Sequence, residues 1–208
     1  MLGIQNLPLF ILSGLLLNLI PGPDTLYIVG RSISQGRKAG SVSVLGISTG
    51  CAVHTLAAAF GLSAILAASA SAFLAVKLAG AVYLGYLGIR MLLDRNSANV
   101  QNRLLPAQNL RAIYWQAVIT NVLNPKVALF FLSFLPQFVD PARTTRISAF
   151  LLLGAVFIFN STIYCSLVAW FASGISSHLQ GTSSSGVVLK RATGALFVGL
   201  GLKLAAGK

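Results

Sequence analysis

The chain has 208 residues, of which 56% are hydrophobic and 9% charged, with a formal net charge of +12. Soluble domains carry about 25% charged residues, so this composition and a mean hydropathy of +0.82 exclude a cytosolic enzyme, a secreted disulfide scaffold and a disordered tail. They point to an integral membrane protein, in which the 15 basic residues, set mainly at the ends of apolar runs without interleaved aromatics, are orientation signals rather than a nucleic-acid footprint.

Apolar runs of spanning length, roughly 20 residues, fall at 7–29, 41–62, 72–91, 112–134, 147–171 and 187–204. They predict one all-α transmembrane domain over 1–208, a polytopic membrane protein of six transmembrane helices. A first half covers about 1–93, a polar loop about 94–111 and a second half about 112–208. The first run has no basic start and no small-residue cleavage site, so it is read as a retained helix. Within it Pro21, Gly22 and Pro23 interrupt the apolar pattern. Prolines remove amide donors and push the preceding residue out of helical geometry, so the helix should open there, between Asn18 and Asp24.

The second run carries His54 at mid-depth, with Gly46 and Gly50 at a spacing that allows close helix packing. Cys51 there and Cys165 in the fifth run have no metal-ligand spacing and read as small buried apolar residues. The fourth run breaks between Asn121 and Lys126, at Asn124 and Pro125. In the fifth, Asn160 and Tyr164 lie one turn apart. The sixth run has the shortest uncharged core, 192–202.

Lys and Arg fix an orientation. Arg31, Arg37, Lys38, Arg90, Arg95, Arg103, Arg111, Lys190 and Arg191 fall on one side, which the positive-inside rule makes cytoplasmic, with both termini outside.

The two halves resemble each other. Lys77, Gly80, Ala81, Tyr83 and Gly85 match Arg191, Gly194, Ala195, Phe197 and Gly199 in register, and Gly22-Pro23-Asp24 has its counterpart in Asn124-Pro125-Lys126. A three-helix unit crosses the membrane an odd number of times, so its second copy is inserted upside down. The expected architecture is therefore a 3+3 inverted-topology repeat, with a site where the broken helices meet.

Charged groups at membrane depth are costly and should face the bundle interior. One reading gives Asp24 an ammonium group or a proton, while Lys126 and the half-helix ends hold a carboxylate. The plainer reading makes Asp24 a helix cap and sends Lys126 outward to the interface. His54 could relay protons or merely pack by a hydrogen bond. Asn18, Asn121 and Asn124 could ligate a substrate or satisfy opened backbone.

The run Asn18-Leu-Ile-Pro21-Gly22-Pro23-Asp24-Thr25, Gly46 to Gly50 followed by His54, the Lys77 to Gly85 string, and Asn124-Pro125-Lys126 through Phe130-Phe131 to Pro136-Gln137-Phe138 together resemble the LysE/RhtB translocators over essentially the full length. The resemblance implies a multi-pass exporter of amino acids in the bacterial cytoplasmic (inner) membrane, driven by proton antiport. Basic-amino-acid exporters of similar pattern place acidic residues in later helices. The second, fourth and fifth runs here contain no Asp or Glu, which favours neutral substrates such as threonine, homoserine or leucine. Implied partners are the amino acid, protons and the bilayer, with a homo-oligomer left open, and no cofactor. No nucleophile, base or metal set of an intramembrane enzyme is legible. The other class is a small ion channel or metal-ion exporter, for which one intramembrane carboxylate per chain is meagre.

Overall fold

The computed structural model describes residues 3–62, 107–140 and 145–174, with six further positions between 71 and 89. The described residues are helical, with no strand beyond a single bridge between Ile4 and Val139. Helix α1 spans Leu7–Leu19 and α2 spans Pro23–Leu56, continuing as a π-helical turn over Ala57–Leu62. Helix α3 covers Leu110–Val122 and α4 Pro125–Leu129, extended by a π turn over Phe130–Phe134 and a 3-10 turn over Leu135–Phe138. Helix α5 covers Arg146–Gly174. By length and composition, Arg146–Gly174 could cross a membrane, as could Leu110–Val122 with Pro125–Phe138, a pair bent by 47°; Pro23–Leu62 is also long and apolar enough but is divided at Gly36.

Helix α2 is two helices. Gly36 has φ 76° and ψ −174°, a conformation closed to residues with a Cβ, and separates an arm over 23–35 from one over 37–56. Ser32 touches Gly40, although eight residues of straight helix would hold them about 12 Å apart. The chain therefore reverses at one residue. The first expected segment thus corresponds to α1 plus the first arm, broken at 20–22, and the helix runs past the expected 29 because Arg31, Ser32 and Gln35 continue it beyond the apolar core.

Neighbouring contacts fix the helix directions. Asp24 meets Asn121 while Arg31 meets Gln108, so the first arm runs antiparallel to α3. Gly40 packs on Ala169 and Gly154 on Thr55, so the second arm runs antiparallel to α5. Segments one and four are thus opposed, as are two and five, the relation that inverted units would have. The sixth segment, most of the third and the loop over 94–106 lie outside the described residues, as does the repeat string they carry. Ser71, Ala75, Leu78, Val82, Tyr86 and Ile89 are helical and exposed at the spacing of one helix face. Helix α3 begins at Leu110, inside the expected loop, because Asn109 caps it: its Oδ1 accepts from the Ala112 amide at 2.8 Å.

Seven phenylalanines, Phe10, Phe130, Phe131, Phe134, Phe138, Phe150 and Phe157, are buried together and hold the segment after the second break against α1 and α5. Their ring centroids lie as close as 4.9 Å. In lipid such packing, rather than escape from water, holds helices together. Leu45, Phe60, Ile119, Leu123, Phe159 and Phe171 are exposed, as lipid-facing residues would be.

The glycine spacing in the second arm serves packing. Gly46 lies on Ala117 and the Tyr114 carbonyl, and a Cβ on Gly50 would come within 2.6 Å of the Asn121 side chain. Gly50→Ala is therefore expected to lower the thermal midpoint in detergent, by overpacking worth about 1–3 kcal/mol. An unchanged melting curve would contradict this packing.

Candidate functional site

Both proline breaks open the backbone in the same way. Gly22 is extended and followed by Pro23 at the first helical position; Asn124 is extended and followed by Pro125. Proline fits that position because the amide it lacks has no helical partner there. Gly22 has no side-chain cap, whereas Asn124 Oδ1 accepts from the Lys126 amide at 3.0 Å.

The breaks face each other. Asn121, at the end of α3, donates from Nδ2 to Asp24 Oδ2 at 2.9 Å. Lys126, just past the other break, donates from Nζ to the carbonyls of Ile20 at 3.0 Å and Leu17 at 3.2 Å. Each second half-helix thus carries a charged residue that meets the end of the other segment's first half-helix. Lys126 points into the bundle rather than outward, yet its ammonium caps the C-terminal carbonyls of α1 instead of pairing with Asp24. A Cβ on Gly22 would stand 3.1 Å from Lys126 Nζ, so the glycine leaves room for the ammonium.

Asp24 is 8% exposed and Asn121 and Asn124 still less. At this junction the buried Asp24 Oδ1 and Asn121 Oδ1, both acceptors, and Asn18 Nδ2 and Asn124 Nδ2, both donors, have no hydrogen bond of acceptable geometry. Unsatisfied polar atoms at membrane depth are costly, so four of them at one junction call for a polar ligand or a functional role. A cavity of about 10 Å³ lies here, lined by Asn18, Asp24, Lys126, Ser161, Tyr164 and apolar walls that include Ile47 and Phe157. That is room for about one water.

His54 reaches the same junction from the second arm. Its Nε2 lies 3.1 Å from the Asn121 carbonyl, and its ring stacks on Phe131 at 5.8 Å. A carbonyl only accepts, so Nε2 carries the proton and the ring supports the opened backbone at the second break. Asn18 accepts from Ser161 at 3.2 Å. Pro21 and Pro23 are exposed and shape the break without joining the cavity wall. Cys51 and Cys165 are buried free thiols on that wall.

Two features escape sequence reasoning. Ser161 stands one position from Asn160, and it, not Asn160, lines the cavity. Arg31, which its position marks as an orientation charge, is 3% exposed. Its guanidinium donates to Gln108 at 2.7 Å, Gln116 at 3.0 Å and Gln35 at 3.1 Å, and lies over the Tyr27 ring. The Tyr27 hydroxyl sits 3.0 Å from the Ile113 carbonyl oxygen and 3.1 Å from Gln116 Oε1. Asp24, Tyr27 and Arg31 share one helix face at a spacing of three and four, the signal that could have found this seam. It runs from the broken helices to the basic end of the bundle.

The model of LysE type translocators matches residues 15–208. The chain belongs to the LysE type translocator family. Among the relatives of this translocator are a membrane protein of Pseudomonas aeruginosa described as uncharacterised, 34% identical over 216 residues, covering 98% of this chain and 96% of its own. The leucine efflux protein of an Enterobacter species is 28% identical, covering 98% of this chain and 96% of the relative. The homoserine/homoserine lactone efflux protein of Salmonella typhi is 29% identical, covering 96% and 95%. No solved structure matches the translocator.

Proposed function

We propose that this translocator exports neutral amino acids across the bacterial inner membrane by proton antiport, binding them where its two broken helices face each other. The observation that carries this reading is the set of polar atoms at the junction without a hydrogen bond of acceptable geometry: two acceptors, Asp24 Oδ1 and Asn121 Oδ1, beside two donors, Asn18 Nδ2 and Asn124 Nδ2, the last of which faces the Asp24 carboxylate. An amino-acid zwitterion presents the matching set. Its ammonium suits Asp24 and Asn121; its carboxylate suits Asn18 and Asn124, with Lys126 supplying the complementary charge. Ile47 and Phe157 offer the substrate side chain an apolar wall. When the ammonium leaves, a proton on Asp24 takes over its charge balance, which is the coupling an antiporter needs.

Family membership and relatives that carry the names of amino-acid efflux proteins support the reading, as does the opposed direction of segments one and four and of two and five. We extend that relation to a six-helix inverted repeat whose halves rock about the junction. A cavity of about 10 Å³ excludes an amino acid, so the helices must part to load it. On the basic side the bonds that must yield are those of Arg31 and Tyr27 to Gln108 and Gln116.

The test is counterflow of radiolabelled leucine, threonine and homoserine in proteoliposomes. Saturable, stereospecific exchange that a pH gradient drives uphill is the expected result. Ion flux without amino-acid exchange would overturn it.

The seam gives a second measurement. Cys51 and Cys165 are the chain's two cysteines and both line the cavity. In Gln116→Leu the seam loses the acceptor shared by Tyr27 and Arg31, a net bond worth about 1 kcal/mol. Labelling of the two thiols by a charged methanethiosulfonate added on the basic side is expected to quicken about fivefold. Unchanged labelling would show that the seam does not bar that route.

A further inference from the structure

Away from the broken helices, a groove of about 530 Å³ runs between the second arm of α2 and α5. Its upper end holds Arg37, Ser41 and Trp170, its middle Ser166 and Leu167, and its lower end Ile163 and Thr162. From Trp170 to Ile163 is seven residues of α5, a descent of roughly 10 Å. At the bottom a hydrogen bond of 2.8 Å between Ser48 and Thr162 joins the two helices.

Arg37 is exposed and follows directly on the reversal at Gly36. Its guanidinium lies over the Trp170 ring at 5.5 Å, and Nε donates to Ser173 Oγ at 3.3 Å. Those two contacts hold the fork in place while its terminal nitrogens make no hydrogen bond among the described residues. Lys38 adds a second exposed positive charge beside it. Among the described residues no acidic side chain lines the groove.

We propose that this groove binds an anionic phospholipid, with the phosphate on Arg37 and Ser41 and an acyl chain along Leu167 and Ile163. Charge selects the occupant: a guanidinium fork pairs with phosphate oxygens in two parallel bonds, and Lys38 favours a headgroup with net negative charge over a zwitterionic one. Depth selects a lipid over a free anion. Arg37 and Ser41 stand about 10 Å above Ile163, with Leu167 between, the order of a headgroup above its acyl chain, and an arginine beside a tryptophan is usual at the membrane interface. Arg37 lies at the basic end of the bundle, toward the leaflet in which anionic lipids attract Lys and Arg.

Trp170 reports on the site, since the chain has two tryptophans and Trp115→Phe leaves it alone. In that background, the full chain is reconstituted in phosphatidylcholine vesicles containing either phosphatidylglycerol or phosphatidylcholine with brominated acyl chains. Brominated phosphatidylglycerol is expected to quench Trp170 at about fivefold lower mole fraction, the preference that one basic residue gives at an anionic surface. Arg37→Gln is expected to remove the preference while gel filtration and circular dichroism stay unchanged. Should that variant misfold, Ser166→Phe, which fills the groove below the arginine, is expected to weaken quenching by phosphatidylglycerol. Equal quenching by both lipids would overturn the proposal. So would no quenching by either, which would mean that another part of the chain covers the groove. Displacement of the brominated lipid by millimolar inorganic phosphate would overturn it too, in favour of a free-anion site.

Discussion

Asp24→Asn is expected to cut amino-acid counterflow roughly ten- to hundredfold while the protein still inserts and elutes as the wild type does. Asparagine matches aspartate in size and keeps a side-chain oxygen for the Asn121 amide, so the bond across the junction survives. Lost is the negative charge facing a substrate ammonium. A hydrogen bond to a charged group contributes about 1.5–3 kcal/mol, and each 1.4 kcal/mol is about tenfold in binding. The experiment also separates two duties of the residue. Counterflow moves no net proton, so if Asp24 served only the proton, exchange would persist and only uphill export driven by a pH gradient would fail. The zwitterion reading predicts that both fail. Full counterflow at normal incorporation would remove Asp24 from the binding site.

Lys126→Met is expected to damage folding and transport together. The ammonium is the hydrogen-bond partner of the Ile20 carbonyl at the end of α1 and a second donor to the Leu17 carbonyl, which also accepts from the Ile20 amide. Methionine fills the space but donates nothing. A buried acceptor left without its partner costs about 1–3 kcal/mol. Asp24 loses the positive charge in its surroundings at the same time. Thermal unfolding in detergent should show the loss directly. The double variant Asp24→Asn/Lys126→Met should be less destabilised than the sum of the single ones, because neutralising the carboxylate removes the part due to unbalanced charge. Additive losses would mean that the two residues act independently. A stable Lys126→Met protein with normal transport would refute the arrangement at the break.

The breaks themselves were legible because proline announces them: Pro23 and Pro125 both stand at the first position of a half-helix. Their meeting was legible only through the internal repeat, since Asp24 and Asn121 are 97 residues apart. Hydropathy located the described segments but misjudged their ends, because it measures the hydrocarbon layer and not the helix. The helix continues through polar Arg31 and Gln35 as readily as through leucine. The turn at Gly36 gave no signal among the other polar residues of that stretch. The bonds of Arg31 were hidden for a related reason. Composition sees a charge at the end of an apolar run, and only the fold shows the three glutamines that take it out of solvent. Among Asn18, Asn121 and Asn124 the sequence did not decide between backbone support and ligation. The structure gives each both kinds of atom: Asn18 Oδ1, Asn121 Nδ2 and Asn124 Oδ1 are engaged, and the opposite end of each amide has no hydrogen bond of acceptable geometry, that of Asn124 facing the Asp24 carboxylate.

A one-residue connection at Gly36 has no slack. The arm that bears Asp24 and the arm that bears His54 are joined like the two blades of a bracket, so neither can slide along the other. Displacing the first carries the second, and with it the face that rests on α5. Inserting a short flexible linker after Gly36 would uncouple the blades, turning a question about transport into one about stiffness.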